Sequence, residues 1–157
     1  MFFIVGLLSV ITVVLVEPKI PQNTGNIGRL CAANNVRLHI VGKPAFSLSD
    51  SALKRAGLDY WPFLSVDMYP DVNAYFDQIR DCPKHLLTTK TTKVYTECQF
   101  GSDDYIIFGS ETEGLSESIR TEFSSDCCTL PMPNKHVRSL NLANAVSIMV
   151  YHALYAQ

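Results

Sequence analysis

Short runs of consecutive apolar residues alternate along the chain with longer runs in which apolar residues recur every three or four positions. Consecutive apolar residues are typical of buried parallel strands, and the wider spacing is typical of helices that cover a sheet. The predicted strands are Val10–Val16, Arg37–Val41, His85–Thr88, Tyr105–Phe108 and Cys128–Leu130. We therefore predict an α/β fold with a mostly parallel sheet flanked by helices.

Helical spacing predicts five helices. The first runs from Asn23 to Asn34, with Asn23 or Thr24 as its N-cap, and it leaves Arg29 outside its apolar face. The last follows Asn141 and carries a broad apolar stripe that another surface must cover. The others are predicted at Ser49–Ala56, around Val72–Ile79 and at Ser116–Phe123.

Length and charge limit what the chain is able to do. We predict one domain over residues 1–157, because this length supports one sizeable core. Thirteen Lys and Arg against fifteen Asp and Glu give a net charge of −2, so a nucleic-acid partner would need a local basic patch. The five cysteines are irregularly spaced, which favours reduced thiols of a cytoplasmic protein over disulfide or zinc sites.

Residues 1–16 form an uncharged apolar run. This run is shorter than the ~20 residues that span a membrane as a helix. It also lacks the basic region and cleavage site of a signal peptide. We interpret it as the first strand preceded by an apolar N-terminal extension over residues 1–9, and we expect no membrane contact; a membrane or export segment is the alternative.

Two segments that follow predicted strands carry polar residues. Residues 17–29 place Asn23, Asn26 and Arg29 at a helix start, where backbone N–H groups bind phosphate or ribose oxygens. Residues 105–114 place Gly109 and Glu111 at the carboxyl end of a strand, where open α/β sheets bind ligands. A capped turn and a solvated loop are the structural alternatives. We expect no metal ion, because no third ligand is spaced to complete a site with the two carboxylates of the second segment.

A third segment, residues 129–141, leads into the last helix. Its two prolines favour an extended chain, and Lys135, His136 and Arg138 then supply the local basic patch. Ser139 or Asn141 is a suitable N-cap, which alone explains either residue. The two residues together with the basic run favour a functional site.

With these three segments in this order, the chain resembles the small SpoU-type RNA ribose methyltransferases of the SPOUT superfamily. The resemblance runs from Thr12 to Tyr155. Within that family, two further stretches are similar to the group that acts on the tRNA wobble nucleotide: Leu87-Thr-Thr-Lys90 and Arg55-Ala-Gly-Leu-Asp-Tyr60. The motifs that match the family as a whole are Asn23 through Arg29, Phe108-Gly-Ser-Glu111-Thr-Glu-Gly114, and Leu130-Pro-Met-Pro with Arg138-Ser-Leu-Asn-Leu-Ala-Asn144.

The resemblance implies a deep C-terminal trefoil knot, a homodimer and S-adenosyl-L-methionine as methyl donor, with S-adenosyl-L-homocysteine as product. It implies 2′-O-methylation of the ribose of the tRNA wobble nucleotide, cytidine or uridine 34, read in the anticodon loop. The positions that match the donor site are Leu87, Gly109, Leu130, Ser139 and Leu140.

The resemblance also implies roles for the polar residues. Arg29 lies beside the reacting hydroxyl and is often called the general base. Because a guanidinium stays protonated in proteins, Arg29 either acts as that base or binds the neighbouring phosphate. The residues expected to arrange the reaction are Asn23, Glu111, Ser139 and Asn141, and those expected to contact RNA are Asn26, Lys135, His136 and Arg138.

Three other interpretations remain. One is a methyltransferase of this type that acts at another position of tRNA or on ribosomal RNA, because relatives with those targets share the three motifs. A non-catalytic RNA-binding module of the same fold would have no need of the methyl donor. A nicotinamide-binding enzyme is disfavoured because the G-x-G-x-x-G turn is missing.

Overall fold

The computed structural model describes residues 10–49 and 58–156, together with Ser51, Leu53 and Arg55. The apolar extension predicted over residues 1–9 and most of the predicted helix Ser49–Ala56 lie outside the described residues. In the described part of the chain, no helix has both the length and the apolar character needed to cross a membrane. The single domain over residues 1–157 stays a prediction.

Six parallel strands form one sheet in the order β3-β2-β1-β5-β4-β6. All five residues of the central strand β1 are buried, as its run of Val and Leu predicts. The strands are β1 (Thr12–Val16), β2 (Arg37–Val41), β3 (Val66–Tyr69), β4 (Lys84–Leu87), β5 (Tyr105–Phe108) and β6 (Cys127–Cys128). The predicted mostly parallel sheet is confirmed.

Helices cover both faces of the sheet. The α-helices are α1 (Pro21–Ala33), α2 (Val72–Gln78), α3 (Glu117–Glu122) and α4 (Leu142–Tyr155). Val13 and Leu15 pack with α1 and α4, whereas Val14 and Val16 pack with α2 and α3. This alternation follows from the two-residue repeat of a strand. Short 3₁₀ helices lie at Leu58–Phe63, Tyr95–Glu97 and Ser124–Asp126.

The start of α1 differs from the prediction. The helix begins at Pro21, with Ile20 as its N-cap residue and no side-chain cap. Proline is favoured in the first helical turn because its fixed φ suits the helix. The N–H that proline lacks would have no acceptor within the helix at that position. The prediction that Asn23 or Thr24 caps this helix is therefore wrong, and both side chains are buried inside its first turn.

The strands also differ from the prediction in several places. Strand β1 begins at Thr12 rather than Val10, and β6 is Cys127–Cys128 rather than Cys128–Leu130. Strand β3 was not predicted, because this edge strand carries the exposed residues Asp67 and Met68 between half-buried Val66 and Tyr69. Strand β4 begins at Lys84, one residue before the predicted start. A buried lysine fits there because its ammonium donates hydrogen bonds to three backbone carbonyls at the end of α2 and in the turn that follows.

The carboxyl ends of neighbouring strands lie side by side along one edge of the sheet. The β1, β4 and β5 ends lead into α1, residues 88–104 and residues 109–116. Beyond β6, residues 129–141 run along the same edge into α4, whose apolar stripe packs into the core through Ala145, Val146, Met149 and Val150. All three polar segments of the sequence therefore begin at this edge.

Candidate active site

A pocket of about 310 Å³ lies at the carboxyl ends of β4, β5 and β6. Leu87 and Gly109 contribute to it from the ends of β4 and β5. Leu130, Ser139 and Leu140 contribute from the segment between β6 and α4. All five residues predicted to hold the methyl donor therefore line one pocket.

The loop after β5 is a tight turn. The Gly114 N–H donates to the Ser110 carbonyl at 3.0 Å, and the Glu113 N–H donates to the Ser110 hydroxyl at 3.2 Å. A Cβ atom at Gly109 would overlap the backbone of Gly114 and Leu115. Glycine is therefore required at position 109 by the return of the chain itself, whether or not a ligand is bound.

Glu111 joins the β5 loop to the start of α1. Its carboxylate accepts hydrogen bonds from the backbone N–H groups of Lys19 at 2.8 Å and Ile20 at 3.0 Å. It also accepts one from the Asn23 side-chain amide at 3.3 Å. Because the first N–H groups at a helix start lack partners within the helix, this carboxylate stabilises the entry into α1.

Asn23 and Asn141 extend this connection to the third segment. The Asn141 amide donates to the Asn23 side-chain oxygen at 3.1 Å. The Asn141 side-chain oxygen accepts from the backbone N–H groups of Ala143 at 2.9 Å and Asn144 at 3.3 Å, which makes Asn141 the N-cap of α4. One hydrogen-bonded chain, Glu111–Asn23–Asn141, therefore connects the three segments.

Arg29 takes no part in the hydrogen-bonded chain Glu111–Asn23–Asn141. It is exposed on α1 and does not belong to the described residues that line the pocket, and neither does Asn26. Its guanidinium lies over the Tyr60 ring, 4.7 Å from the centroid. Trp61 packs against α1 so closely that a Cβ at Gly28 would lie 2.9 Å from its ring. The 3₁₀ helix Leu58–Phe63 therefore holds Arg29 from the side.

Only part of the predicted basic patch reaches the pocket. Arg138 lines it, whereas Lys135 and His136 do not. The last two lie on an exposed turn, in which the side-chain oxygen of Asn134 accepts a hydrogen bond from the His136 N–H at 3.0 Å.

Sequence reasoning assigned no role to three residues at this edge, namely Tyr60, Lys90 and Arg120. Tyr60 contacts Arg29, and Lys90 and Arg120 line the pocket. Tyr60 and Lys90 stand in the two stretches that resemble the wobble-specific group, which was their only signal. Arg120 gave none.

No cysteine thiol at the pocket edge is prepared to act as a nucleophile. Cys128 ends strand β6, and burial together with the neighbouring Cys98 raises the pKa of its thiol, which keeps it protonated. In the stretches that the structure describes, no cluster of His, Cys, Asp and Glu is arranged to hold a metal ion.

Comparison with known proteins gives consistent matches. The model of the SpoU rRNA Methylase family matches residues 10–151. A tRNA (cytidine(34)-2′-O)-methyltransferase from Saccharophagus degradans is 45% identical over 145 residues, which cover 90% of this chain and 92% of that protein. A solved structure from work on the 2-OH methylation of C/U34 on tRNA has a TM-score of 0.86 at 36% identity, and the match covers 92% of this chain and 93% of that chain.

A more distant structure shares the fold. The SpoU methyltransferase AviRb from Streptomyces viridochromogenes, solved in complex with the cofactor AdoMet, has a TM-score of 0.79 at 24% identity. That match covers 96% of this chain and 61% of AviRb. Since the family model spans nearly all of the described residues and the relative from Saccharophagus is similar over almost its full length, the chain belongs to the SpoU rRNA methylase family.

Proposed function

We propose that the protein transfers a methyl group from S-adenosylmethionine to the ribose 2′-hydroxyl of the tRNA wobble nucleotide, cytidine or uridine 34. The observation that carries this proposal is that the second and third motif segments line one pocket while the first is hydrogen-bonded to both through Asn23, because a methyltransferase must hold donor and acceptor together. The relative from Saccharophagus, which is 45% identical, is named a tRNA (cytidine(34)-2′-O)-methyltransferase.

The pocket fits the donor. Leu87, Leu130 and Leu140 give it apolar walls that suit a purine ring. Residues 129–141 form neither helix nor regular strand, so much of their backbone is available to hydrogen-bond a ligand. S-adenosylmethionine supplies an electrophilic methyl group there, and S-adenosylhomocysteine is left after transfer.

The residues of the chain have to orient a weak nucleophile and dispose of its proton. Ser139 is an exposed hydroxyl on the pocket wall, where it is suited to hydrogen-bond the ribose. The Glu111–Asn23–Asn141 chain keeps the three segments in register. Arg29 binds a phosphate by a bidentate contact rather than serving as base, because the planar fork of a guanidinium matches two phosphate oxygens. The hydroxyl proton leaves to water or to that phosphate.

A homodimer completes the site. Arg29 does not line the pocket of its own chain, and α4 exposes apolar surface at Ile148, Tyr151 and Tyr155. A two-fold contact through this surface covers the three side chains. In such a dimer, Arg29 of one subunit serves the pocket of the other. Asn26, on the same exposed helix, then contacts the RNA together with Lys135, His136 and Arg138.

The C-terminal segment forms a trefoil knot by threading through the loop of residues 88–104. Two observations support this proposal: strand β6 lies at the sheet edge beyond β4, and α4 packs against α1 and β5 nearer the centre. Tyr95 and Phe100 of the loop contact His152 of α4, with ring centroids 4.8 and 5.8 Å apart.

Because tRNA is the substrate, the location is cytoplasmic, where the five free cysteines remain reduced.

Mass spectrometry of tRNA tests the reaction and its target. Total tRNA is compared between cells with and without this protein, and 2′-O-methylation is mapped at nucleotide 34 and elsewhere. We expect it to disappear at cytidine or uridine 34 without the protein and to return with wild type but not with Ser139→Ala. Loss at another tRNA or ribosomal position would replace the wobble assignment, and no loss anywhere would contradict the proposed activity.

Calorimetric titration with S-adenosylmethionine supplies the second arm. A methyltransferase must bind the donor and is expected to show a heat of binding, whereas a pure RNA-binding module is expected to show none. Comparing the affinities for S-adenosylmethionine and S-adenosylhomocysteine then measures how far the pocket distinguishes the donor from its demethylated product.

A further inference from the structure

A second hollow adjoins the donor pocket. It has a volume of about 280 Å³ and shares Thr88, Lys90 and Arg120 with that pocket. Its other lining residues include the hydroxyl side chains of Thr91, Thr121 and Ser124. The shared residues form a wall with one side toward the donor and the other toward a polar space rich in hydrogen-bond donors.

Both cations in this wall lack acidic partners. Among the ion pairs of the described residues, none involves Lys90 or Arg120. Arg120 donates its Nε–H to the Leu115 carbonyl at 3.2 Å, which fixes the guanidinium and leaves its two terminal nitrogens available. The Lys90 backbone N–H donates to the Thr88 hydroxyl at 3.1 Å, which fixes the turn that carries the lysine.

The neighbouring carboxylates are already engaged. Glu111 accepts two backbone N–H groups at the start of α1, and Glu113 pairs with Lys19 at 3.5 Å. Asp126 lies 3.9 Å from the Lys84 ammonium, and Glu122 pairs with Arg80. The positive charge of Lys90 and Arg120 is therefore directed to a ligand rather than to the protein.

The chemistry of the acceptor identifies that ligand. A ribose 2′-hydroxyl is next to the 3′-phosphodiester of the same nucleotide, so any hydroxyl brought to the donor pocket brings a phosphate with it. Lysine, arginine and hydroxyl side chains are the usual donors to phosphate oxygens. We propose that this second hollow binds the RNA phosphodiester that flanks the methylated ribose, with Lys90 and Arg120 as its cations; this rests on the proposed function.

The methionine carboxylate of the donor is the competing anion, because Lys90 and Arg120 also face the donor pocket. The two anions predict different losses when the charge is removed. If the cations bind an RNA phosphate, removing their charge weakens tRNA binding and reduces its dependence on salt. If they bind the donor carboxylate, removing their charge weakens binding of S-adenosylmethionine alone.

The test removes the Lys90 charge and then restores it. Lys90→Met keeps the length of the side chain without its charge, and Lys90→Arg restores the charge. Arg80→Ala is the matched control, since it removes one positive charge at the opposite, amino-end side of β4. For each protein, KM and kcat are measured in the methylation assay with unmodified tRNA that carries cytidine 34. Binding affinity for the same tRNA is measured at several salt concentrations.

For Lys90→Met we expect KM for tRNA to rise about tenfold, as for loss of one charge-assisted contact. The slope of log affinity against log salt should fall by about 0.7 to 1. S-adenosylmethionine affinity should stay within about twofold, and Lys90→Arg should recover most of the loss. Arg120→Gln should shift KM and slope in the same direction.

Two results overturn the assignment. One is a loss of S-adenosylmethionine affinity with tRNA binding unchanged, which gives these cations to the donor carboxylate. The other is a Lys90→Met protein that matches Arg80→Ala in KM and salt slope. If wild type transfers no methyl group to this tRNA, the proposed function fails instead, and the salt slopes of the binding measurements still decide the phosphate site.

Discussion

Two groups of polar residues share the carboxyl edge of the sheet and differ in how they are partnered. Glu111, Asn23 and Asn141 hydrogen-bond to one another and to backbone N–H groups. Arg29 and Ser139 are exposed, and Arg29 forms no ion pair among the described residues. The polar atoms of the first group already have hydrogen-bond partners that hold the segments together, whereas the side chains of the second group are available to a substrate.

The sequence motifs place both groups in a single set of expected catalytic residues, and the geometry separates them. A residue whose polar atoms already have partners contributes chiefly to stability, because its removal leaves those partners unsatisfied. An exposed residue contributes little to stability, so its removal shows mainly in turnover. Substitutions in the two groups should therefore affect different measurements.

Arg29→Ala should give the largest effect. If Arg29 positions the reacting nucleotide, its loss should lower kcat by at least about 100-fold, as for other losses of substrate orientation. The free energy of unfolding and the affinity for S-adenosylmethionine should stay near wild type, because the side chain is exposed and outside the pocket. Single-turnover methylation and calorimetry measure both. Retained turnover would remove Arg29 from the mechanism.

Mixed dimers tell whether Arg29 acts across the subunit contact. Arg29→Ala and Ser139→Ala proteins, each inactive alone, are allowed to exchange subunits in equal amounts. If Arg29 serves the partner's pocket, half of the dimers have one intact site of two, and about a quarter of wild-type activity should return. No recovery after verified exchange would mean that Arg29 acts in its own subunit.

Glu111→Ala should give the largest loss of stability. It leaves the Lys19 and Ile20 N–H groups without their acceptor and should lower the free energy of unfolding by about 1–2 kcal/mol. Glu113→Ala is the control, because it breaks only an exposed ion pair and should cost under about 0.5 kcal/mol. Urea denaturation of both proteins tests this, and equal losses would contradict a special role for Glu111.

Asn141→Ala should cost about 1 kcal/mol of stability, because it removes the N-cap of α4. Asn141→Ser keeps a capping oxygen but loses the amide that donates to Asn23. We expect Asn141→Ser to restore most of the stability in urea denaturation but not the activity. Full activity in the serine variant would show that the link to Asn23 is dispensable.

Tyr60→Leu should give the smallest effect. Loss of the ring beneath Arg29 should lower kcat/KM about two- to fivefold, the equivalent of an exposed cation–π contact. Tyr60→Phe keeps the ring and should behave as wild type in the same assay. If both variants lose activity equally, the hydroxyl rather than the ring matters.

Much of this division was not predictable from sequence. The position of Glu111 after a buried strand was enough to place it at the site, because strand ends are readable from apolar runs. Its partners were not predictable, since Lys19, Ile20 and Asn23 lie 88 to 92 residues earlier in the chain. Tyr60 was missed because only tertiary packing of a 3₁₀ helix against α1 brings it to Arg29.

The most direct measurement of the central claim uses two tRNAs that differ by one oxygen. One carries cytidine at position 34, the other 2′-deoxycytidine there, and each is incubated with the protein and S-adenosylmethionine labelled in its methyl group. We predict stoichiometric labelling of the first tRNA and none of the second. Equal labelling of both, or of neither, would contradict methylation of the wobble ribose.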